Sequence, residues 1–396
     1  MENGENGAGN TRPPGRKIRL ALSIFRYFSR GGAQRELFNI AREMAARNWE
    51  VTIFCIDWEP AESEDFSGIT VRELPVSGTA RHRKARKFDS LLKQILQEEK
   101  FDLHFAFSRV SSADWYFSED LPLGRRKVKS NWLSKLMPQF RTFSALEDAV
   151  FGSDSATKIM YLVPMQLQVY QRFYNTPTGR MFQLPPGIDR SFAEAGAKRE
   201  VLRREMRERL QLADDEIMLL TINSSCRSSG IDRVAAAVGA LPEEIRSNVK
   251  LFIAGKDEND EISTLAENFC ISEQTEFLGW RDDVMALMAA ADLLVYPARS
   301  DVASAVLLEA TACGLPVICS GNCGFSGIVA ESGGEVLPLP FRQSVLNRSL
   351  RMLLTTPEQL VELHGAVADY SGNADFYSRT AAIAALLESD VKDRIL

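Results

Sequence analysis

The stretch from Tyr296 to Ile318, YPARSDVASAVLLEATACGLPVI, constrains the fold of this chain most strongly. A strand ends at Tyr296-Pro297, a short loop carries Asp301, and a helix starting near Ala303 carries Glu309. A further strand begins after Gly314-Leu315-Pro316. This is the layout of a ligand site in an open α/β sheet, where ligands sit beyond the carboxyl ends of parallel strands. The helix N-terminus there offers backbone N–H groups and a positive dipole to a phosphate.

The same alternation runs through the chain. Ile18–Phe25 is a short apolar run bounded by polar residues, hence a buried strand. Gly31 and Gly32 follow, then ELFNIAREMAARNW, in which Leu37, Ile40, Ala41 and Met44 share one helical face, then the strand Val51–Ile56. This strand–glycine loop–helix–strand unit opens a doubly wound fold. It lacks the G-x-G-x-x-G spacing of a dinucleotide fingerprint. Adjacent glycines let backbone approach a ligand closely, but a plain tight turn uses them too. Further strands are predicted at Phe101–Phe107, Lys158–Val163 and Phe182–Leu184, with a helix over Gln166–Phe173. Pro185-Pro186-Gly187 then interrupts regular structure, which places a domain boundary near 187–195. Beyond it strands are expected at Ile217–Ile222, Val249–Ala254, Thr275–Leu278, Leu293–Tyr296 and Val317–Cys319. Helices fill the intervals, notably Ile231–Ala240 and Arg281–Ala291, and the tail from Gln343 is helical in three segments. Such alternation implies parallel sheets with right-handed crossovers.

A length of 396 residues suits two or three domains, and 45% hydrophobic with 25% charged residues is the composition of a soluble globular protein. No apolar run approaches the ~20 residues of a membrane-spanning helix. The opening MENGENGAGNTRPPGRK is polar rather than signal-like, and residues 1–16 read as a disordered leader. Six cysteines form no CxxC pair and only three histidines occur, which disfavours a zinc site or a histidine triad. No acidic metal cluster is apparent; Asp282-Asp283 reads as charge compensation at a helix start.

Charge is unevenly distributed. Residues 1–190 hold 28 Lys and Arg against 22 Asp and Glu, while residues 191–396 hold 19 against 31. A basic half and an acidic half point to different partners, the first facing something anionic. Residues 81–87, RHRKARK, carry five positive charges, and 125–141, RRKVKSNWLSKLMPQFR, carry six with no acid and with interleaved apolar residues. A solvated helix face is one reading. The sharper one is an anionic membrane surface, where clustered Lys and Arg contribute about 1 kcal/mol each and apolar side chains enter the headgroup layer. No recognition motif for nucleic acid accompanies the patches.

Several motifs in order resemble the GT-B glycosyltransferases of family 4, and within that family the lipopolysaccharide core glucosyltransferases. They are FRYFSRGGAQRELFNIA at 25–41, Asp114-Trp115-Tyr116-Phe117, LPPGI at 184–188, GIDR at 230–233, LFIAG at 251–255, LMAAADLLVYPA at 287–298 and DVASAVLLEATACGLPV at 301–317. The resemblance covers roughly residues 18–390 and implies two Rossmann-like domains facing a cleft. Their expected bounds are 17–188 on the acceptor side and 189–374 on the donor side, with a C-terminal helix in 375–396 packing back on the first. It implies transfer of a sugar with retention from a nucleotide-sugar donor, UDP-glucose being the inherited guess. The acceptor would be a lipopolysaccharide core or another lipid-linked glycan. No metal or other cofactor is implied, and the place of action is the inner face of the cytoplasmic membrane.

Carried over by position, Gly31 and Gly32 match the glycine loop that meets the donor diphosphate, and Glu309 matches the acid that holds the ribose. Asp301 stands where the motif's first acid contacts hydroxyls of the transferred sugar, and Asp114 matches an acceptor-side position. Residues Ala303, Ser304, Ala305 and Val306 would present amides to the diphosphate. A carboxylate suits vicinal hydroxyls because it accepts two hydrogen bonds. The chain departs from the family just before Gly230, where an Arg and a Lys that neutralise the departing diphosphate are replaced by Ser228 and Ser229. Asp301 is also one methylene shorter than the usual Glu. Loss of one such charge-stabilising donor can cost ~10²–10³ in rate. Arg227, or Lys256 after the LFIAG strand, would then have to reach the diphosphate. A catalytically impaired relative serving as a binding or scaffold subunit is the alternative. A sugar-nucleotide epimerase would need a cleft histidine, for which His104 is the candidate and a buried core role the plainer explanation.

Overall fold

The computed structural model describes residues 16–29, 31–122, 136–223, 226–255, 259–303 and 305–395. The chain divides into two compact units, one running up to Pro185 and resuming at Ser378, the other spanning Pro186–Tyr377.

The first unit contains strands β1 (Arg19–Ser23), β2 (Arg26–Phe28), β3 (Glu50–Cys55), β4 (Asp57–Glu59) and β5 (Ile69–Glu73). It continues with β6 (Leu103–Ala106), β7 (Trp115–Ser118), β8 (Lys158–Tyr161) and β9 (Met181–Gln183). Seven of them form one parallel sheet in the order β5-β3-β1-β6-β7-β8-β9, and β2 pairs with β4 apart from it. The central strands are near-continuous apolar runs because a parallel sheet is covered on both faces. Strands β2, β4 and β5 escape a reading by hydrophobic run because their residues are only partly buried. Strand β7 is fully buried yet hides behind the polar SSAD that precedes it.

The last helix, Arg379–Ile395, packs against the helix Gly32–Ala46. Trp115 Nε1 donates to Asp390 at 2.8 Å, Arg47 pairs with Glu388 at 2.9 Å, and Arg379 Nε donates to the Pro185 carbonyl at 3.1 Å.

The second unit holds β10 (Ile217–Asn223), β11 (Val249–Gly255), β12 (Thr275–Gly279), β13 (Leu293–Tyr296), β14 (Val317–Ser320) and β15 (Glu335–Leu337). Their order is β12-β11-β10-β13-β14-β15, with every pairing parallel. Helices Ile231–Gly239, Asn259–Asn268, Val284–Ala290 and Ala305–Ala312 lie between successive strands. In each sheet the winding reverses once, between β1 and β6 in the first unit and between β10 and β13 in the second. The loops leaving two such strands splay apart and open a crevice at their carboxyl ends.

Two local expectations shift. The helix carrying Glu309 begins at Ala305, not Ala303. Residues Ser228 and Ser229 lie in a helical turn, Cys226–Ser229. The helix expected from Arg281 begins at Val284, because Arg281 turns back onto Asp283 at 2.7 and 2.8 Å. Asp283 makes no side-chain cap, so its charge is met by Arg281 and by Arg209 at 3.2 Å rather than by the helix end.

Candidate active site

In the second unit, the crevice lies between the turn after β10 and the loop after β13. The loop is laced from both sides. Arg233 Nη1 donates to the Pro297 carbonyl at 2.9 Å, and Ser320 Oγ donates to the Ala298 carbonyl at 2.6 Å. Asn322 Nδ2 donates to the Arg299 carbonyl, and Asp301 bridges to Cys323. Gly230 has φ +79°, and a Cβ there would lie 2.4 Å from the Pro297 carbonyl oxygen. Glycine is required at that point both for its left-handed backbone and for the close approach.

Asp301 accepts a hydrogen bond from the Tyr296 hydroxyl, which fixes its carboxylate at the end of β13. Glu309 sits in the buried helix Ala305–Ala312 at 9% exposure. Val306 is buried one turn before it, Ala305 begins the helix, and Ala303 lies two positions ahead of Ala305. Ser304 and Lys256 lie outside the described residues. Arg227 projects from the helical turn with an exposed side chain. Sequence reasoning missed Arg299. Its amide donates to the Ser228 carbonyl at 2.8 Å, and its guanidinium donates to the Arg227 carbonyl at 2.9 Å and to both Asp232 oxygens at 2.6 and 2.5 Å. Those hydrogen bonds hold the Asp232 carboxyl below the usual carboxylate range. The residue is visible in the sequence, but nothing there shows that it reaches back to residues 227–232.

In the first unit, the crevice is a cavity of ≈ 350 Å³ lined among others by Ala33, Phe107, Arg109, Glu119 and Asp120. Gly31 and Gly32 lead into the helix Gly32–Ala46, and the Ala33 amide of its first turn donates to Glu119 at 3.1 Å. Burial raises the Glu119 carboxyl, against the opposing effect of that amide. Arg109 pairs with Asp120 at 2.6 Å and with the buried Glu147 at 3.4 Å. Aromatic walls with paired carboxylates and an arginine suit a hydroxyl-rich ligand. Asp114, expected on the acceptor side, is elsewhere. It precedes β7, and the five residue steps from it to Glu119 span about 16 Å. There it accepts the His104 amide at 2.7 Å and pairs with Arg394 at 2.9 Å. The residues that follow the carboxyl end of that strand, Glu119 and Asp120, line the cavity, and Asp114 does not.

His104 is buried, with Nε2 2.7 Å from Ser23 Oγ and Nδ1 donating to the Ser112 carbonyl at 2.9 Å; burial lowers its pKa. It is a neutral core histidine, which removes the epimerase candidate.

Two parallel α/β units, each with a crevice at its switch point, have the architecture of the GT-B fold. The comparisons agree. Residues 203–366 match the family Glycosyl transferases group 1 and residues 30–192 match Glycosyltransferase Family 4. The lipopolysaccharide glucosyltransferase WaaG of Escherichia coli K12 is 32% identical over 91% of this chain and 96% of its own length. A crystal structure of WaaG, a glycosyltransferase involved in lipopolysaccharide biosynthesis, superposes with a TM-score of 0.85 at 30% identity, covering 93% of this chain and 99% of that one. A D-inositol 3-phosphate glycosyltransferase of Catenulispora acidiphila is 23% identical over 92% of this chain and 91% of its own. The chain therefore belongs to the family 4 glycosyltransferases of GT-B fold, and is a sugar-transferring enzyme.

Proposed function

We propose that this enzyme transfers glucose, with retained anomeric configuration, from a nucleotide-sugar donor, UDP-glucose by preference, to a lipopolysaccharide-core acceptor. The observation that carries the reading is the 32% identity to a lipopolysaccharide glucosyltransferase over nearly the full length of both chains. The site chemistry is compatible with it. Asp301 and Glu309 in the second unit offer carboxylates to sugar hydroxyls, and Glu119, Asp120 and Arg109 line a cavity in the first. Among the described residues no helix is long and apolar enough to cross a membrane. Peripheral attachment is supported by the helix Arg81–Glu98, where Arg81, Arg83, Arg86 and Lys87 are exposed around a buried face of Ala85, Phe88 and Leu92. Leu136 and Met137, at 61% and 56% exposure, lie within the second basic stretch, of which residues 125–135 lie outside the described residues.

The test is incubation of the purified protein with UDP-, GDP- and ADP-glucose and a core lipopolysaccharide that ends at the inner-core heptose. Glucose incorporation from UDP-glucose is expected, with the linkage read by NMR. Nucleotide binding with no transfer from any donor would instead favour a binding or scaffold role. Sedimentation with anionic rather than zwitterionic vesicles tests the membrane surface.

A further inference from the structure

A site that releases a nucleoside diphosphate must present positive charge to it, because negative charge builds on the diphosphate as its bond to the sugar breaks. In the second unit the residues just before Gly230 are the neutral Ser228 and Ser229. Ser229 is buried, and its hydroxyl has no partner among the described residues. The turn after β10 thus brings one exposed cation of its own, Arg227.

A second cation arrives across the switch point. The backbone of Arg299 is bonded to Ser228 on one side and to Asn322 on the other, so its position beside the turn is fixed by the main chain. Its guanidinium is bonded to the Arg227 carbonyl and to the Asp232 carboxylate and is 35% exposed, within reach of a ligand. The Asp232 carboxylate that it holds through two parallel hydrogen bonds presents the same pair of oxygens as a phosphate, and a planar guanidinium fork accepts either.

Resting on the glycosyltransferase reading, we propose that Arg299 meets the donor's diphosphate in place of the cations absent from positions 228 and 229. Asp232 is its counter-ion when no donor is bound, and orients the guanidinium for an oxyanion. Arg299 comes from the loop that also carries Asp301, so diphosphate and sugar are read by one short segment.

Calorimetric titration of the full-length protein with inorganic pyrophosphate, and with UDP, GDP and ADP beside their nucleosides, tests this. Arg299→Gln is expected to weaken the diphosphates by about tenfold and to change nucleoside binding by less than about twofold. Arg299→Lys, which keeps the charge, should recover part of the loss. Asp232→Asn removes the competing carboxylate and should tighten diphosphate binding. Opposite signs for the two neutralising variants are the signature of a shared anion site. Equal diphosphate affinity in wild type and Arg299→Gln overturns the proposal while leaving the enzyme's function standing. Parallel loss in both variants, with nucleoside binding lost alongside, also overturns it by assigning Arg299 to holding the turn. A wild type that binds no nucleoside diphosphate and no nucleotide sugar fails earlier, at the donor site itself, and takes the proposal with it.

Discussion

The Glu119 carboxylate accepts the Ala33 amide at 3.1 Å, in the space that Gly32 leaves by lacking a side chain. The helix end that the glycine loop would offer to a phosphate is thereby met by the protein's own acid. A Cβ on Gly32 would lie 1.9 Å from Glu119 Oε1, so Gly32→Ala must displace the carboxylate. We expect a loss of about 1 kcal/mol in urea unfolding, that of the displaced hydrogen bond, and much less for the same change made on Glu119→Ala. Strictly additive losses in that double-mutant cycle would separate the two residues.

Asp114 ties the amino-terminal ends of the interior strands β6 and β7 to the last helix through the His104 amide and Arg394. Asp114→Asn weakens the acceptor for the His104 amide and the pair with Arg394. It should lower stability by about 1 kcal/mol and leave kcat/KM for transfer within about twofold. A hundredfold fall in kcat/KM with unchanged stability would return Asp114 to the chemistry.

Asp301 and Glu309 serve different ends of the donor in the proposed reaction. Glu309→Gln should raise the donor KM by roughly tenfold, because ribose contacts are made equally in ground and transition states. Asp301→Asn should lower kcat by about a hundredfold, since a carboxylate next to the transferred sugar acts as charge builds there. Steady-state kinetics that show the reverse split would exchange their roles.

His364 supplies a pH dependence. Burial, then the nearby Arg199, lowers it to about 4, and its Nδ1 donates to the Gly314 carbonyl at 3.1 Å. The unfolded chain protonates this ring first as pH falls, so stability is complete above the ordinary value of 6.5 and is lost on the way down to about 4. The loss is up to about 3 kcal/mol. Urea midpoints between pH 7 and pH 4 should flatten in His364→Gln, and an NMR midpoint for this ring near 6.5 would contradict the buried setting.

The fold was legible because the strands nearest each switch point are apolar runs separated by helical periodicity, and burial on both faces writes that pattern directly into composition. Strands β2, β4 and β5 were not legible, since partly exposed strands carry mixed residues that a hydrophobic run does not reveal. Asp301 and Glu309 could be found because one continuous segment carries both, and the local chain alone sets their spacing.

By itself the sequence determined two alternating α/β arrays, the phosphate-facing segment from Tyr296 to Ile318, and the loss of charge at Ser228 and Ser229. Only the tertiary structure decided which end of β7 faces the cavity, and so that Glu119 and Asp120, not Asp114, stand there. It also decided that Arg299 lies on the turn after β10, 67 positions away from Asp232 in the chain. Parallel pairing sets strand direction and brings distant loops to one rim, and neither relation is encoded in local spacing.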